Sequence, residues 1–144
     1  MIFSAISIQQ PWSYAIYRLG KDVENRSWLL PLRYDGRPVL VHSGQKIDKA
    51  GHEYLDSLGH PIGANILRGG ILGFAVFTMR GPRRRSRWDA VGQYNWRIIA
   101  SGELPFHPCR GSLGFFKVDY PHEAACEDFL RSLGLGGLGT RSAV

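Results

Sequence analysis

The fold of this chain is decided by residues 7–28, which read SIQQPWSYAIYRLGKDVENRSW. Apolar and polar residues alternate moderately over residues 3–8, which predicts a strand from Phe3 to Ile8 that runs into this segment. Pro11 suits the first position of a helix, because its missing N–H would be unpaired there in any case. Apolar residues then recur at helical spacing, and Gly20 ends the helix. The segment therefore predicts a strand that leads directly into a short helix.

After the predicted helix, a basic, an acidic and a second basic residue are closely spaced: Lys21, Glu24 and Arg26. They cannot all be ordinary solvated charges if the strand that follows is buried. Glu24 and Arg26 are two residues apart, so on a strand their side chains face the same side, and Lys21 comes from the turn just before. The spacing predicts the wall of a polar cleft. The three charges either satisfy one another as a structural network or bind a ligand.

The rest of the chain predicts four further strands and two further helices. The strands are expected at residues 39–42, 70–79, 94–100 and 113–118. The run 70–79 is apolar on both faces, so it should be central in its sheet. Helices are expected at 48–58, where Asp48 is the cap, and at 121–133. Predicted strands and helices alternate irregularly along the chain, which argues against a doubly wound sheet. Short strands at close spacing with helices between them favour an α+β fold, namely a small, mostly antiparallel β-barrel with peripheral helices.

Length and composition are those of a single domain. The chain has 144 residues, 44% of them hydrophobic, which is enough for one core. We expect residues 1–133 to form the domain and the glycine-rich residues 134–144 to form a flexible tail. There is no run of about 18 apolar residues, and the first residues do not show the basic segment followed by an apolar stretch that is typical of a secretory signal. We therefore expect a cytoplasmic protein that does not associate with membranes. The spacing of Cys109 and Cys126 is not that of metal ligands or of a redox pair, which favours free thiols in a reducing compartment. A single disulfide between them is the alternative.

The net charge of +6 favours contact with polyanions, because basic side chains release the counterions of phosphate groups. Much of this charge is local, since five arginines fall within residues 80–87, with Arg84 at the middle of the run. The segment is either a solvated loop or a phosphate-binding loop. Arg110 follows Pro108 in a predicted turn and is a second candidate for a phosphate contact.

Aromatic residues are frequent for a domain of this size, and five of them are candidates for stacking: Trp12, Trp28, Trp88, Tyr94 and Trp96. Aromatic side chains near a basic surface are the usual platform for unstacked bases. Ordinary core packing is the favoured interpretation for Trp96, which lies in a strand rich in branched residues. Trp12, at the predicted helix start, belongs either to the core or to the rim of the cleft.

His42 ends a predicted buried strand beside Ser43. It either assists proton transfer or is a hydrogen-bonded structural residue, and the structural interpretation is favoured. The other histidines are scattered, without metal-ligand spacing: His52, His60, His107 and His122. We therefore expect no metal site and no cofactor.

Three blocks of this sequence resemble the ASCH domain family, a branch of the PUA-like β-barrel superfamily. Residues 7–12 are similar to the family's Ser-x-x-Gln-Pro-Trp opening, and residues 21–28 to its Gly-x-Lys-x-x-Glu-x-Arg signature. The third block is diffuse and combines residues 70–76, Trp88, Tyr94-Asn95-Trp96 and Arg110-Gly111. One departure is the signature glycine, which is Gly20 here, with Leu19 at the expected position. The resemblance spans roughly Ala5 to Val118.

The resemblance implies a barrel whose cleft is lined by the Lys, Glu and Arg of the signature. PUA-like relatives mostly bind RNA, and several hold a modified base. Within the ASCH family the implied activities are hydrolysis of the acetyl amide of N4-acetylcytidine and RNA binding or cleavage, and coactivator-type proteins are among its members. In the amidohydrolase branch the nucleophile is a threonine three residues after the lysine. That position is Glu24 here, so this nucleophile is missing at its expected place.

We therefore expect an RNA- or nucleoside-binding ASCH domain protein. The expected nucleic-acid contacts are Gln10, Trp12, Lys21, Glu24, Arg26, Trp28, His42, Arg84 and Arg110. One alternative is a hydrolase, either a ribonuclease or an amidohydrolase of N4-acetylcytidine, with Lys21 and Glu24 as catalytic residues. A second alternative is a protein-interaction module whose aromatic surface docks a partner. The RNA species, the base modification and the oligomeric state stay open.

Overall fold

A computed structural model of the protein describes residues 1–63 and 65–134. Within these residues it is a small α+β fold with six strands in one mixed sheet and three α-helices. The strands are β1 (Ile2–Ser7), β2 (Val23–Arg26), β3 (Pro38–Ser43), β4 (Gly70–Thr78), β5 (Tyr94–Pro108) and β6 (Phe115–Asp119). The helices are α1 (Trp12–Arg18), α2 (Lys49–Ser57) and α3 (Glu123–Ser132), and a short 3₁₀ turn spans Leu32–Tyr34.

The sheet has the strand order β2-β5-β4-β3-β1-β6, so β4 is an interior strand, as its apolar faces predict. β1 pairs with β3 in parallel, and the other four pairings are antiparallel. β2 and β6 are the two edges, and no backbone ladder joins them within the described residues. The α+β class predicted from the sequence is therefore confirmed, but the sheet is open, without the ladder that would close a barrel.

Strand β5 differs most from its prediction, because it continues to Pro108 instead of ending near residue 100. It pairs with β2 through its first residues and with β4 along the rest of its length. The β4–β5 register shifts twice, between Ile71 and Gly73 and between Val76 and Phe77. Such bulges bend a strand and increase its twist, which lets one long strand serve both neighbours.

The core lies on both faces of the sheet, in two clusters. One contains Ile6, Ile8, Val39, Val41, Phe77 and Trp96, and the other contains Phe3, Leu40, Phe74, Tyr120 and Leu130. Successive residues of β1 and β3 alternate between the clusters, as the two-residue period of a strand requires. Trp96 is fully buried, so its interpretation as a core residue is confirmed.

The end of α1 positions the charged segment that follows it. Gly20 has a φ of 69°, a left-handed conformation that glycine adopts at little cost, and it stops the helix where the sequence predicts. The backbone N–H of Lys21 then donates to the carbonyl of Ala15 at 3.0 Å, which turns the chain back over the end of the helix. β2 follows directly and places Glu24 and Arg26 beside Lys21.

Three further features bear on the sequence-based expectations. No helix of the described residues is long and apolar enough to cross a membrane. Cys109 and Cys126 are both free thiols. Residues 1–63 and 65–134 contain no group of three His, Cys, Asp or Glu placed to share a metal ion. The predicted flexible tail lies outside the described residues, except for Gly134.

Candidate functional site

A cleft of about 1270 Å³ opens where β1, β2 and β3 approach the loops that precede and follow β5. It is larger than the roughly 300–1,000 Å³ of typical small-molecule sites. Its lining includes Ser7 at the end of β1, Trp12 at the start of α1 and His42 near the end of β3. The loop 87–90 and the loop 109–113 complete the lining on either side of β5.

Glu24 bridges two cations at the base of this cleft. Its Oε1 accepts from Lys21 Nζ at 3.3 Å, and its Oε2 accepts from Arg26 Nε at 2.9 Å. The Lys21 and Glu24 side chains are only 3% and 8% exposed. Lys21 Nζ also donates to the carbonyl of Val23. The proximity that the sequence predicts is confirmed, and the three charges form a compact network with one net positive charge.

Arg26 links this network to the rest of the cleft. Its guanidinium donates to the main-chain oxygen of Ser7 at 2.5 Å, which joins β2 to the end of β1 without a backbone ladder. It also lies 5.9 Å from the ring centroid of Trp28 and 5.9 Å from that of Trp96. A guanidinium has five N–H donors, and the contacts with Glu24 and Ser7 use two of them. Arg26 is thus held in place and keeps donors for a ligand.

Trp12 forms an aromatic part of the cleft lining next to the charged network. Its ring centroid lies 5.8 Å from Lys21 Nζ, within the range of a cation–π contact. Its Nε1 donates to Oδ2 of Asp48, and Oδ1 of Asp48 accepts from the backbone N–H of Gly51. Asp48 is therefore the cap of α2, as the sequence predicts, and the partly buried Trp12 both lines the cleft and packs against the first core cluster.

Ser7 and His42 form a hydrogen-bonded pair that faces the same cleft. The hydroxyl oxygen of Ser7 lies 2.7 Å from His42 Nδ1, and His42 Nε2 lies 2.9 Å from the carbonyl oxygen of Cys109. A carbonyl only accepts, so Nε2 bears the proton and Nδ1 accepts from the Ser7 hydroxyl. Burial lowers the pKa of His42, and the hydrogen bond to Cys109 offsets part of this effect. The imidazole is consequently neutral near pH 7.

The loop 87–90 is fastened to β2 by one side chain. Asn25 Nδ2 donates to the carbonyl of Trp88 at 2.9 Å, and Asn25 Oδ1 accepts from the N–H of Ala90 at 3.1 Å. Arg87 lies over the Trp88 ring, 5.0 Å from its centroid. A second aromatic and cationic pair therefore lines the cleft beside the pair of Trp12 and Lys21.

The arginine segment 80–87 divides between structural and exposed positions. Arg80 Nε lies 3.1 Å from Oδ1 of the buried Asp35. Burial alone would raise the pKa of Asp35, but hydrogen bonds from Thr78 and the Met79 N–H, together with the charge of Arg80, lower it. Arg80 thus belongs to the turn after β4. Arg84 is exposed in the loop and does not line the cleft.

The structure brings most of the predicted contact residues into one place. The cleft is lined by Trp12, Lys21, Glu24, Arg26, His42 and Arg110. Gln10, Trp28 and Arg84 lie outside it. Gln10 is 1% exposed, and its amide is used at both ends, since Nε2 donates to Leu67 and Oε1 accepts from the N–H of Tyr14. Trp28 instead packs edge-on against Trp96, with ring centroids 4.9 Å apart.

Several lining residues had not been singled out from the sequence. They include Ser7, Gln9, Asn25, Lys46 and Asp89, whereas Arg87 belongs to the arginine segment that the sequence already suggested as a phosphate-binding loop. Gln9 and Gln10 alternate in direction, and nothing local decides which of the two faces the cleft. Asn25 lies between Glu24 and Arg26 in the signature segment, and this position could have identified it as a candidate site residue. Lys46 belongs to the segment between β3 and α2, and its place in the lining depends on the fold of the whole sheet.

No protein-family model matches this chain, and no curated protein matches it significantly. The resemblance to the ASCH family therefore rests on residues 7–28 and on the scattered positions named above.

Proposed function

We propose that this protein binds RNA or a nucleoside in the cleft, on a PUA-like barrel of the ASCH type. The observation that supports this most directly is the charge of the described lining. Five basic side chains and three acidic ones line the cleft, and all three carboxylates are already hydrogen-bonded within the protein. A ligand therefore meets an excess of positive charge and no unbonded carboxylate among the described residues.

The cations at the rim are well placed for phosphate groups. Lys46 and Arg110 are both exposed and line the cleft, on the segment after β3 and on the segment after β5. Arg26 lies deeper, beside Ser7. Cations at different depths allow a phosphate to be bound at the rim while the attached base enters the cleft.

The aromatic lining supports stacking of a base. Trp12 and Trp88 both line the cleft, each with a cation near its ring. Stacking of a base on an aromatic side chain contributes about 1–3 kcal/mol. Amide side chains are also present to meet the polar edge of a base: Gln9, Gln45 and Gln93. This combination of rings and amides is typical of sites for single-stranded or free bases.

Side-chain contacts between the two sheet edges support the barrel. Trp28 follows β2, and Phe115 begins β6, and their ring centroids are 6.1 Å apart in an edge-to-face contact. Phe115 also stacks parallel to Trp96 of β5, with centroids 6.1 Å apart. Together with the bond from Arg26 to the end of β1, these contacts connect the two edges of the open sheet across the core cluster that contains Trp96. In this proposal side chains close the barrel where backbone pairing stops.

The test is the anisotropy of a fluorescein-labelled 12-nucleotide single-stranded RNA, titrated with the protein at 50 and 200 mM salt. We expect affinity to fall steeply with salt, with a log–log slope of about −0.7 for each phosphate contact. Arg110→Ala and Lys46→Ala should each weaken binding and reduce this slope. Trp88→Ala should weaken binding and leave the slope unchanged.

The matched control is Arg131→Ala, which removes the same charge from the surface of α3, where Arg131 pairs with Asp128. It should bind RNA like the unchanged protein. Equal losses in Arg131→Ala and Arg110→Ala would show general charge attraction and overturn the cleft as the binding site. Lys21→Ala is a poor first variant, because Lys21 is buried and its loss leaves Glu24 with one partner fewer.

A further inference from the structure

We propose that Ser7 and His42 are the nucleophile and the general base of an esterase site that hydrolyses small acyl esters in this cleft. The proposal adds an activity to the proposed binding of RNA or a nucleoside, and it does not depend on that binding. Its nucleophile and base, Ser7 and His42, lie outside the Lys21–Glu24–Arg26 network.

The pairing of the strands produces the juxtaposition. Ser7 and His42 are partners in the parallel register of β1 and β3, so their side chains lie side by side on the same face of the sheet. The contact between Ser7 Oγ and His42 Nδ1 is 2.7 Å, a normal length for a hydroxyl donating to an imidazole. Both residues line the cleft, and Ser7 is partly exposed. A ligand in the cleft therefore reaches the hydroxyl.

The orientation of the imidazole is the one that a general base requires. The carbonyl of Cys109 accepts from Nε2, which fixes the tautomer and leaves the lone pair on Nδ1 for the Ser7 proton. In serine hydrolases a carboxylate usually orients the histidine in this way, and here a backbone carbonyl occupies that position. Phe116 lies edge-on to the ring, with centroids 5.6 Å apart, and limits its rotation.

Gly111 makes the closest approach to the pair. A Cβ added at Gly111 would lie 2.6 Å from Cε1 of His42 and 2.7 Å from Oγ of Ser7. Any side chain larger than hydrogen would therefore collide with the pair or displace it. The main chain at Gly111 therefore passes directly against the two reacting side chains.

One cation of the cleft, Arg26, contacts the residue that carries the proposed nucleophile. The guanidinium of Arg26 is bonded to the main-chain oxygen of Ser7 and keeps further N–H donors. A fixed cation or donor at a developing oxyanion is usually a large contribution to acyl-transfer catalysis. We assign this role to Arg26.

The reaction balances with water as the only co-reactant. The Ser7 oxygen attacks the ester carbonyl carbon while its proton passes to His42 Nδ1. The carbon–oxygen bond to the alcohol then breaks, and the alcohol leaves with the proton from Nδ1. Water attacks the acyl group on Ser7 and gives a proton to Nδ1, which returns it to the Ser7 oxygen as the carboxylic acid departs. One ester and one water become one alcohol and one carboxylic acid.

The experiment has two readouts on the purified full chain. The first is covalent labelling by a fluorophosphonate probe, with the modified residue located by mass spectrometry. The second is hydrolysis of p-nitrophenyl acetate. We expect the label on Ser7, and we expect hydrolysis to fall by about 10²- to 10⁴-fold in His42→Gln, the usual contribution of general base catalysis. Ser7→Ala should lose both label and hydrolysis.

Ser132→Ala is the matched control, because Ser132 is an exposed serine of α3 that does not line the cleft. It should retain the label and the rate. Circular dichroism and thermal unfolding establish that the variants are folded, and Ser7→Cys provides a second nucleophile if Ser7→Ala does not fold. With Ser7→Cys, iodoacetamide should react at position 7, and faster than in the same variant with His42→Gln.

The proposal is overturned if the probe modifies other residues but not Ser7, or if Ser7→Ala hydrolyses the ester at the original rate. RNA anisotropy on the same variants separates the two proposals. Loss of RNA binding in Arg110→Ala with labelling of Ser7 retained supports both. An unlabelled Ser7 in a protein that binds RNA in the cleft removes the esterase and leaves the binding function.

Discussion

The indole nitrogen of Trp12 donates to Asp48 across 2.9 Å, so the residue that caps helix α2 also fixes an aromatic part of the cleft lining. The other carboxylate oxygen of Asp48 accepts from the N–H of Gly51 at 3.0 Å. A Cβ on Gly51 would lie 2.7 Å from the Trp12 ring, so the first turn of the helix packs directly against the indole. Stability of α2 and geometry of the cleft are thus coupled through one carboxylate.

Asp48→Ala should therefore weaken both properties. Loss of an N-cap costs about 0.5–2 kcal/mol of the free energy of unfolding, which urea denaturation measures. The affinity for a labelled RNA should also fall, because Trp12 loses the bond that orients it. Asp48→Asn retains an acceptor for the cap and should be milder in both assays. Asp128→Ala, on the exposed surface of α3, should change neither, and an equal effect there would contradict the coupling.

Glu24→Gln should be among the most destabilising single changes in this chain. It removes the negative charge between Lys21 and Arg26, and it leaves Lys21, which is 3% exposed, without its counterion. Breaking a buried ion pair in this way costs about 3–5 kcal/mol. Guanidinium chloride denaturation measures the loss.

The control for Glu24→Gln is Glu103→Gln, which breaks the pair with Arg18. That pair is 47% and 59% exposed, so its loss should cost only about 0–1 kcal/mol. Equal losses at the two sites would show that the network around Glu24 behaves as a surface ion pair.

The stability of the protein should fall on acidification through the titration of His42. Burial lowers the pKa of His42 in the folded state, whereas the unfolded chain titrates near about 6.5. As the pH falls below that value, the unfolded state binds the proton first, so the free energy of unfolding decreases until the lowered folded pKa is reached. The described side chains in contact with the ring, Ser7 and Phe116, are uncharged.

His42→Gln should remove this part of the pH dependence. Urea denaturation at a series of pH values from about 7.5 to 5 measures it, since His42 has its unperturbed pKa inside this range. The difference in stability between the unchanged protein and His42→Gln should shrink as the pH falls. A constant difference would mean that His42 does not titrate differently in the two states.

Replacement of Arg84 and Arg85 together by alanine should weaken RNA binding without changing its preference among sequences. Both side chains are exposed in the loop that leads to the cleft, so contacts there are with the phosphate backbone. Each lost contact should reduce the salt slope of binding to single strands by about 0.7. Anisotropy with two unrelated RNA sequences measures both effects. A loss confined to one sequence would place these arginines in base recognition.

The elements that sequence analysis predicted well are those decided by neighbouring residues. The stop at Gly20 depends on one left-handed residue, and the cap at Asp48 on a side chain that reaches three residues ahead. Lys21, Glu24 and Arg26 meet because a turn followed by a strand places them together. The second half of β5 was missed because Leu104 and Phe106 alternate only briefly with Glu103 and Pro105, and a proline inside a run is unusual in a strand. The pairing of this half depends on bulges opposite β4.

The parts of the site that were missed depend on pairing between distant strands. Ser7 meets His42 only because β1 and β3 run in parallel with that particular register. The position of Gly111 against this pair depends, in addition, on the path of the chain after β5. Gln10 was expected in the cleft, and the structure places Gln9 there instead, since adjacent residues point in opposite directions and only the finished fold decides between them.

The position of β1 between β3 and β6 has a consequence for synthesis on the ribosome. Ile2 lies opposite Asp119, so β1 is made first and receives its last neighbour only after the rest of the sheet has been translated. At about 5–20 residues per second, the interval is on the order of ten seconds. Until then the β6 side of β1 is an unpaired edge in the nascent chain, and the lining residues 109–113, which precede β6, are not yet in place. Ligand binding by a ribosome-bound chain should therefore begin only when β6 has left the exit tunnel.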